Sequence, residues 1–139
     1  MNLTATAGKS IYLDAKNLNS GAAVSGSLNA GETVSAEFRG SVELSSLSGQ
    51  KISLISQEGG IKIDSLDHKE ASDLSQRLDL TAAGDISLKS VGDISVGQIS
   101  TSGDVTIDSA GNIYDAIDRS DAMSVRHKNV LKAGLKPAF

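Results

Sequence analysis

A Gly-x-aliphatic-x-aliphatic unit that returns with a 19-residue period constrains this chain more than any other feature. It reads Gly84-Asp85-Ile86-Ser87-Leu88, Gly92-Asp93-Ile94-Ser95-Val96, Gly103-Asp104-Val105-Thr106-Ile107 and Gly111-Asn112-Ile113-Tyr114. The glycines are spaced by 8, 11 and 8, so 103 − 84 and 111 − 92 both equal 19. The same shift carries Leu80 onto Ile99, Ile86 onto Val105, Leu88 onto Ile107 and Ile94 onto Ile113, apolar onto apolar each time. Repeats of this length are the mark of stacked, solenoid-like architectures. Aliphatic residues alternate with Ser, Thr, Lys or Asp, which is the period-2 pattern of a half-buried strand. This density of Gly and Ser/Thr disfavours helix.

The expected fold is therefore all-β: a parallel β-helix of three short strands per coil of about 19 residues, at about 78–82, 85–88 and 93–96 in the clearest coil. Each coil advances one strand spacing, roughly 4.8 Å, and places every strand on its counterpart in the next. Leu80, Ile86, Leu88, Ile94, Ile99, Val105, Ile107 and Ile113 form the expected core. Gly84, Gly92, Gly103 and Gly111 are expected at the corners, where glycine accepts positive φ. Hydrophobic residues make up 39% of the chain but aromatics only 3%, with no Trp. The core must accordingly be aliphatic. At this period the 139 residues make about seven coils, a rod roughly 30 Å long.

The pattern extends upstream, with Gly40-Ser41-Val42-Glu43-Leu44 falling one such period before Gly59-Gly60-Ile61-Lys62-Ile63 and an opening coil over residues 3–13. From Gly59 to Gly84 the gap is 25, six more than one period, so an inserted loop or short helix is expected at about 64–77. Coils occupy 1–116. Residues 117–139 depart from the repeat, since Ile99 and Ile107 map onto Asp118 and Arg126. That tail, with Arg119, Arg126, Lys128, Lys132, Lys136 and Pro137, reads as a basic C-terminal cap discouraging further pairing. A membrane surface or an acidic partner is the rival reading of the same stretch.

The run Leu78-x-Leu80-x-Ala82-x-Gly84-Asp85-Ile86-x-Leu88, with Gly92-Asp93-Ile94 and Gly103-Asp104-Val105-x-Ile107, resembles the filamentous-haemagglutinin-type repeats of large bacterial exoproteins. That resemblance implies a right-handed β-helix, export to the cell surface or medium, and a role in adhesion or biofilm. Leu3 already stands inside the pattern with no signal region before it, so the chain is expected to be a piece of a longer protein whose export signal lies elsewhere.

Charge narrows the partners. Residues 1–116 carry 8 Lys/Arg against 15 Asp/Glu, and residues 117–139 carry 5 against 2. An acidic body without aromatic platforms is a poor reader of nucleic acid. No apolar run is long enough to span a membrane. Expected partners are adjacent coils of the same or a neighbouring chain, with axial association through residues 3–13, and a host or matrix glycan or protein.

No catalytic residue and no cofactor is expected. Serines lack a nucleophile-elbow context, and polysaccharide-acting β-helices need convergent carboxylates, commonly with aromatic sugar platforms. Asp85 and Asp104 occupy equivalent corners and are a weak calcium candidate; hydrogen bonding to turn amides is the preferred reading. His68 lies near Asp67, Glu70 and Asp73, but one His without a second His or a Cys is a poor transition-metal site, and a solvated loop is expected there. His127 sits within the basic stretch. Ser87, Ser95, Ser100, Thr106 and Asp108 are expected to face outward as polar ladders. The favoured function is a non-catalytic structural or adhesive segment of a large secreted or cell-surface bacterial protein. The alternatives are a cytoplasmic bactofilin-like polymer and, well behind, a polysaccharide-acting enzyme.

Overall fold

The structure is a computed structural model describing residues 2–15, 23–73, 75–116, 125–126 and 130–131. Parallel strands stack into a β-solenoid of about six turns, with no helix among the described residues. Two sheets carry the coils. The first runs β1 (Asn2–Ala7), β3 (Val24–Ala30), β5 (Val42–Gly49), β7 (Ile61–His68), β9 (Ile86–Ser90), β11 (Val105–Ser109) and β14 (Val130–Leu131). The second runs β12 (Ile113–Asp115), β10 (Ile94–Thr101), β8 (Leu78–Ala82), β6 (Lys51–Ser56), β4 (Thr33–Phe38) and β2 (Ile11–Ala15), with β13 (Val125–Arg126) also paired to β10.

The three segments expected of a coil are present, but two of them run together as one bent strand. In β10, Ile94–Val96 pairs with β12 while Ile99–Thr101 pairs with β8. In β5, Val42–Leu44 and Leu47–Gly49 pair separately with the two ends of β7. Register shifts at Gly26/Ser27, Ile63/Leu66 and Val96/Ile99 mark the bends. A bulge turns the chain while leaving most of the ladder intact, so these corners need no break in the strand.

Inward side chains form the core. All eight residues expected there, from Leu80 to Ile113, are at most 1% exposed. Their registers are those of the repeat: Val105 on Ile86, Ile107 on Leu88, Ile113 on Ile94, Ile99 on Leu80. Phe38, fully buried, is an aromatic exception to the aliphatic filling.

Coil length varies more than the repeat implies, which is why fewer turns form than the seven expected. Rung to rung the numbering advances by 19 from Val42 to Ile61, by 18 from Val34 to Ile52, by 23 from Ile11 to Val34 and by 26 from Ile52 to Leu78. The tail repeats the longest of these steps. Val125 pairs with Ile99 and Val130 with Val105, advances of 26 and 25, matching those from Ile52 to Leu78 and from Ile61 to Ile86. At these rungs the backbone adds to both sheets. The rest of the cap expected over 117–139, including His127, lies outside the described residues.

Two expectations are corrected here. The insertion is shorter than 64–77: β7 runs on through His68, turns follow over residues 69–72, and β8 begins at Leu78. The corner glycines do not serve positive φ either, because among the described glycines only Gly26, at +150°, has it. What makes glycine necessary at Gly103 and Gly111 is the close approach of the preceding coil, whose backbone would lie within 3.0 Å of a Cβ, whereas nothing lies within 4 Å at Gly92.

Candidate functional site

Each corner of the clearest coils is closed by a carboxylate that reaches across to the next coil. Asp79 Oδ1 accepts the amide of Gln98 at 2.8 Å, Asp85 Oδ1 that of Asp104 at 2.8 Å, and Asp93 Oδ1 that of Asn112 at 2.7 Å. Acceptor and donor stand one full period apart in every case. These bonds hold coil to coil, whereas the bonds to nearby turn amides expected at Asp85 and Asp104 are local. Amide-to-carboxylate bonds are among the stronger hydrogen bonds available to a chain.

The residue before each donor is glycine for a steric reason. A Cβ on Gly97, Gly103 or Gly111 would stand 2.2, 2.3 or 2.3 Å from the Oδ1 of Asp79, Asp85 or Asp93. Ser41 has the equivalent role at an earlier corner, with its Oγ 2.3 Å from a Cβ on Gly59 and accepting the Gly60 amide at 3.4 Å. An acceptor followed by glycine one position short of a full period is thus a signature readable in the sequence, and sequence reasoning missed it by tracking glycine and aliphatic positions alone.

Buried hydroxyls brace the same corners from within. Ser109 Oγ donates to the Gly92 carbonyl at 2.9 Å and accepts the Gly111 amide at 3.1 Å. Thr101 Oγ1 likewise donates to the Gly84 carbonyl and accepts the Gly103 amide. Such Ser/Thr-x-Gly corners recur at Ser90-Val91-Gly92, where Ser90 Oγ bonds the Gly92 amide and carbonyl. Each satisfies backbone groups that a turn would otherwise leave unpaired.

At the weak calcium candidate, Asp85 Oδ1 is engaged by the Asp104 amide. We expect the melting temperature to be the same in millimolar Ca²⁺ and in chelator. Asp93→Ala should lower stability by about 1.5–3 kcal/mol, the worth of a hydrogen bond to a charged group, and Asp93→Asn by less, since it retains Oδ1. Thermal unfolding of both variants checks this; equal losses would remove the carbonyl-type acceptor from the explanation.

Ser87, Ser100, Thr106 and Asp108 face outward as expected. Ser95 does not. It is fully buried, its Oγ has no hydrogen-bond partner, and its amide donates to His68 Nδ1 at 3.1 Å. His68 itself, expected in a solvated loop, is 5% exposed at the end of β7, with Nε2 donating to the Gln50 carbonyl at 2.7 Å. Burial holds its imidazole below the ordinary value of 6.5, against the opposing pull of the Gln50 and Gln76 backbone and of Asp67. The outer faces are shallow. Beside exposed Tyr12, a depression of about 260 Å³ is lined by Asp14, Ser35, Glu37 and Ser53.

The sequence matches the profile of a family described as repeats of unknown function (DUF5649) twice, over residues 50–115 and 83–135. Together the matches span 50–135, which is 86 of 139 residues. The chain belongs to this family. No curated protein and no solved structure matches it. In these DUF5649 repeats the matched stretch contains the Asp79, Asp85 and Asp93 corners and the Ser/Thr-x-Gly braces, so the family's recurring unit coincides with the part of the solenoid where carboxylates fasten one coil to the next.

Proposed function

We propose that this chain is a stiff, non-catalytic structural segment of a large secreted or cell-surface bacterial protein, serving adhesion or biofilm by holding other parts of that protein away from the cell. One observation carries the reading: the carboxylates of the best-formed coils, Asp79, Asp85 and Asp93, are engaged in binding coil to coil rather than gathered in a groove. A side chain whose oxygen already holds a backbone amide is a poor general acid or base, which weighs against polysaccharide hydrolysis. The resemblance of residues 78–116 to filamentous-haemagglutinin-type repeats supports the surface location. Edge strands β1 and β2 also suit axial contact with a further coil through residues 3–13.

Surface digestion of intact cells that produce the protein tests the reading. An antibody to this segment should lose its signal when external protease is added, and the segment should be recovered from the medium or envelope. A signal confined to the cytoplasm and sedimenting as filaments would overturn the proposal in favour of the bactofilin-like polymer. Release of reducing ends from extracellular glycans by the purified chain would favour the enzyme.

A further inference from the structure

The third face of the solenoid is not one continuous ladder. Leu47–Gly49 of β5 pairs with Leu66–His68 of β7, and Ile94–Val96 of β10 pairs with Ile113–Asp115 of β12. Between these two blocks β7 and β10 are unpaired: among the described strands β7 has β5 and β9 as neighbours, and β10 has β8, β12 and β13. The interruption falls where the Lys69–Arg77 excursion leaves the coil.

A side chain fills the missing rung. His68 Nε2 donates to the Gln50 carbonyl at the end of the preceding coil, and His68 Nδ1 accepts the Ser95 amide of the following one. This pairing requires the neutral ring with its hydrogen on Nε2. In the excursion Ala71 is 5% exposed, and the amides of Asp73 and Gln76 bond the carbonyls of Glu70 and Asp73.

We propose that His68 is a proton-operated latch joining the coils that end with β7 to those that continue from β10. When the ring takes a second proton, Nδ1 becomes a donor facing the Ser95 N–H, and the bond between His68 and Ser95 is lost, which leaves the Val91 amide on the Leu66 carbonyl at 3.0 Å to link the end of β7 to the following coil. The rod then loosens at this joint while the β7–β9 and β8–β10 pairings keep its two blocks attached.

The groups facing the ring define when this happens. From the β5–β6 turn comes the Gln50 carbonyl, from the excursion the Gln76 backbone, from β10 the Ser95 amide, and from its own strand the Asp67 carboxylate. Asp67 and the two backbone groups favour the charged ring, and burial opposes them and prevails. The folded value therefore lies below the unfolded one, so the unfolded chain binds the proton first. The latch's contribution is complete above about pH 6.5 and declines as pH falls below it toward the folded value.

Hydrogen exchange on the full chain, corrected for intrinsic rates, tests this at pH 7.5, 6 and 5. Protection of the Ser95 amide should fall by about tenfold or more on acidification, as suits the loss of one hydrogen bond, while the amides of β4 and β5 keep theirs. His68→Gln should show no such pH step at Ser95. Should that variant fail to fold, ring titration of His68 by NMR in a His127→Gln background decides: its midpoint must lie below 6.5 and coincide with the Ser95 loss. Unchanged Ser95 protection between pH 7.5 and 5, uniform loss across all strands, or a Ser95 transition that does not follow the His68 midpoint would each overturn the latch.

Discussion

Replacing Ile86, Val105 or Ile107 with Asp is expected to destabilise the solenoid by more than about 4 kcal/mol, enough to prevent folding of a domain with ordinary stability. These side chains are at most 1% exposed and stack directly on one another, Val105 on Ile86 and Ile107 on Leu88. A carboxylate there has neither water nor a partner cation, and the neighbouring coils cannot move apart without losing their ladder bonds. Ser87→Asp, at the adjacent position and facing out between Lys62 and Thr106, should change stability by no more than about 0.5 kcal/mol. Urea unfolding followed by far-ultraviolet circular dichroism separates the two outcomes. Similar losses at Ile86 and Ser87 would mean that the inner and outer faces are reversed.

Glycine substitutions at successive corners should split just as sharply, although every one of these glycines looks alike in the repeat. At Gly111 a Cβ would meet the Asp93 amide nitrogen at 2.6 Å and the Gly92 carbonyl carbon at 2.7 Å, both backbone atoms of the preceding coil. Gly111→Ala must therefore push that coil away and break the bond from the Asn112 amide to Asp93. The expected loss is about 2–4 kcal/mol, combining overpacking with a lost hydrogen bond to a charged group. Gly103→Ala should behave similarly, with the Asp85 nitrogen 2.8 Å from the new Cβ. At Gly92 nothing lies within 4 Å and φ is not positive, so Ala should be neutral or stabilise by up to about 1 kcal/mol through the unfolded chain. Melting temperatures of the three variants, measured side by side, give the answer; a Gly92→Ala loss as large as that of Gly111→Ala would return the explanation to backbone conformation.

Much of this architecture was legible because it is written identically in successive coils. Alternation of aliphatic and polar residues is a property of neighbours in sequence, and a strand reads it out whatever surrounds it. The period then follows from Leu80, Ile86, Leu88 and Ile94 each finding an aliphatic partner at the same offset along the chain. Those two local facts fix the parallel stacking, the core ladder and the direction in which Ser87 and Thr106 point. The corner carboxylates are half legible: Asp85 and Asp104 stand one period apart in equivalent corners, but their bond joins a side chain in one coil to an amide in the next.

Tertiary structure decided what depends on the space between coils and on where a coil is longer than its neighbours. Whether a corner needs glycine is set by how near the previous coil's backbone passes, a distance that Gly92 and Gly111 do not share though their sequence contexts nearly match. His68 points inward by the ordinary alternation of β7, two residues beyond Leu66, but its contact with Ser95, whose place in the alternation points outward, arises only where β7 and β10 are not paired in the ladder. A repeat predicts what every coil has in common; the contacts that arise where one coil departs from the period exist only once the chain has wound around its own core.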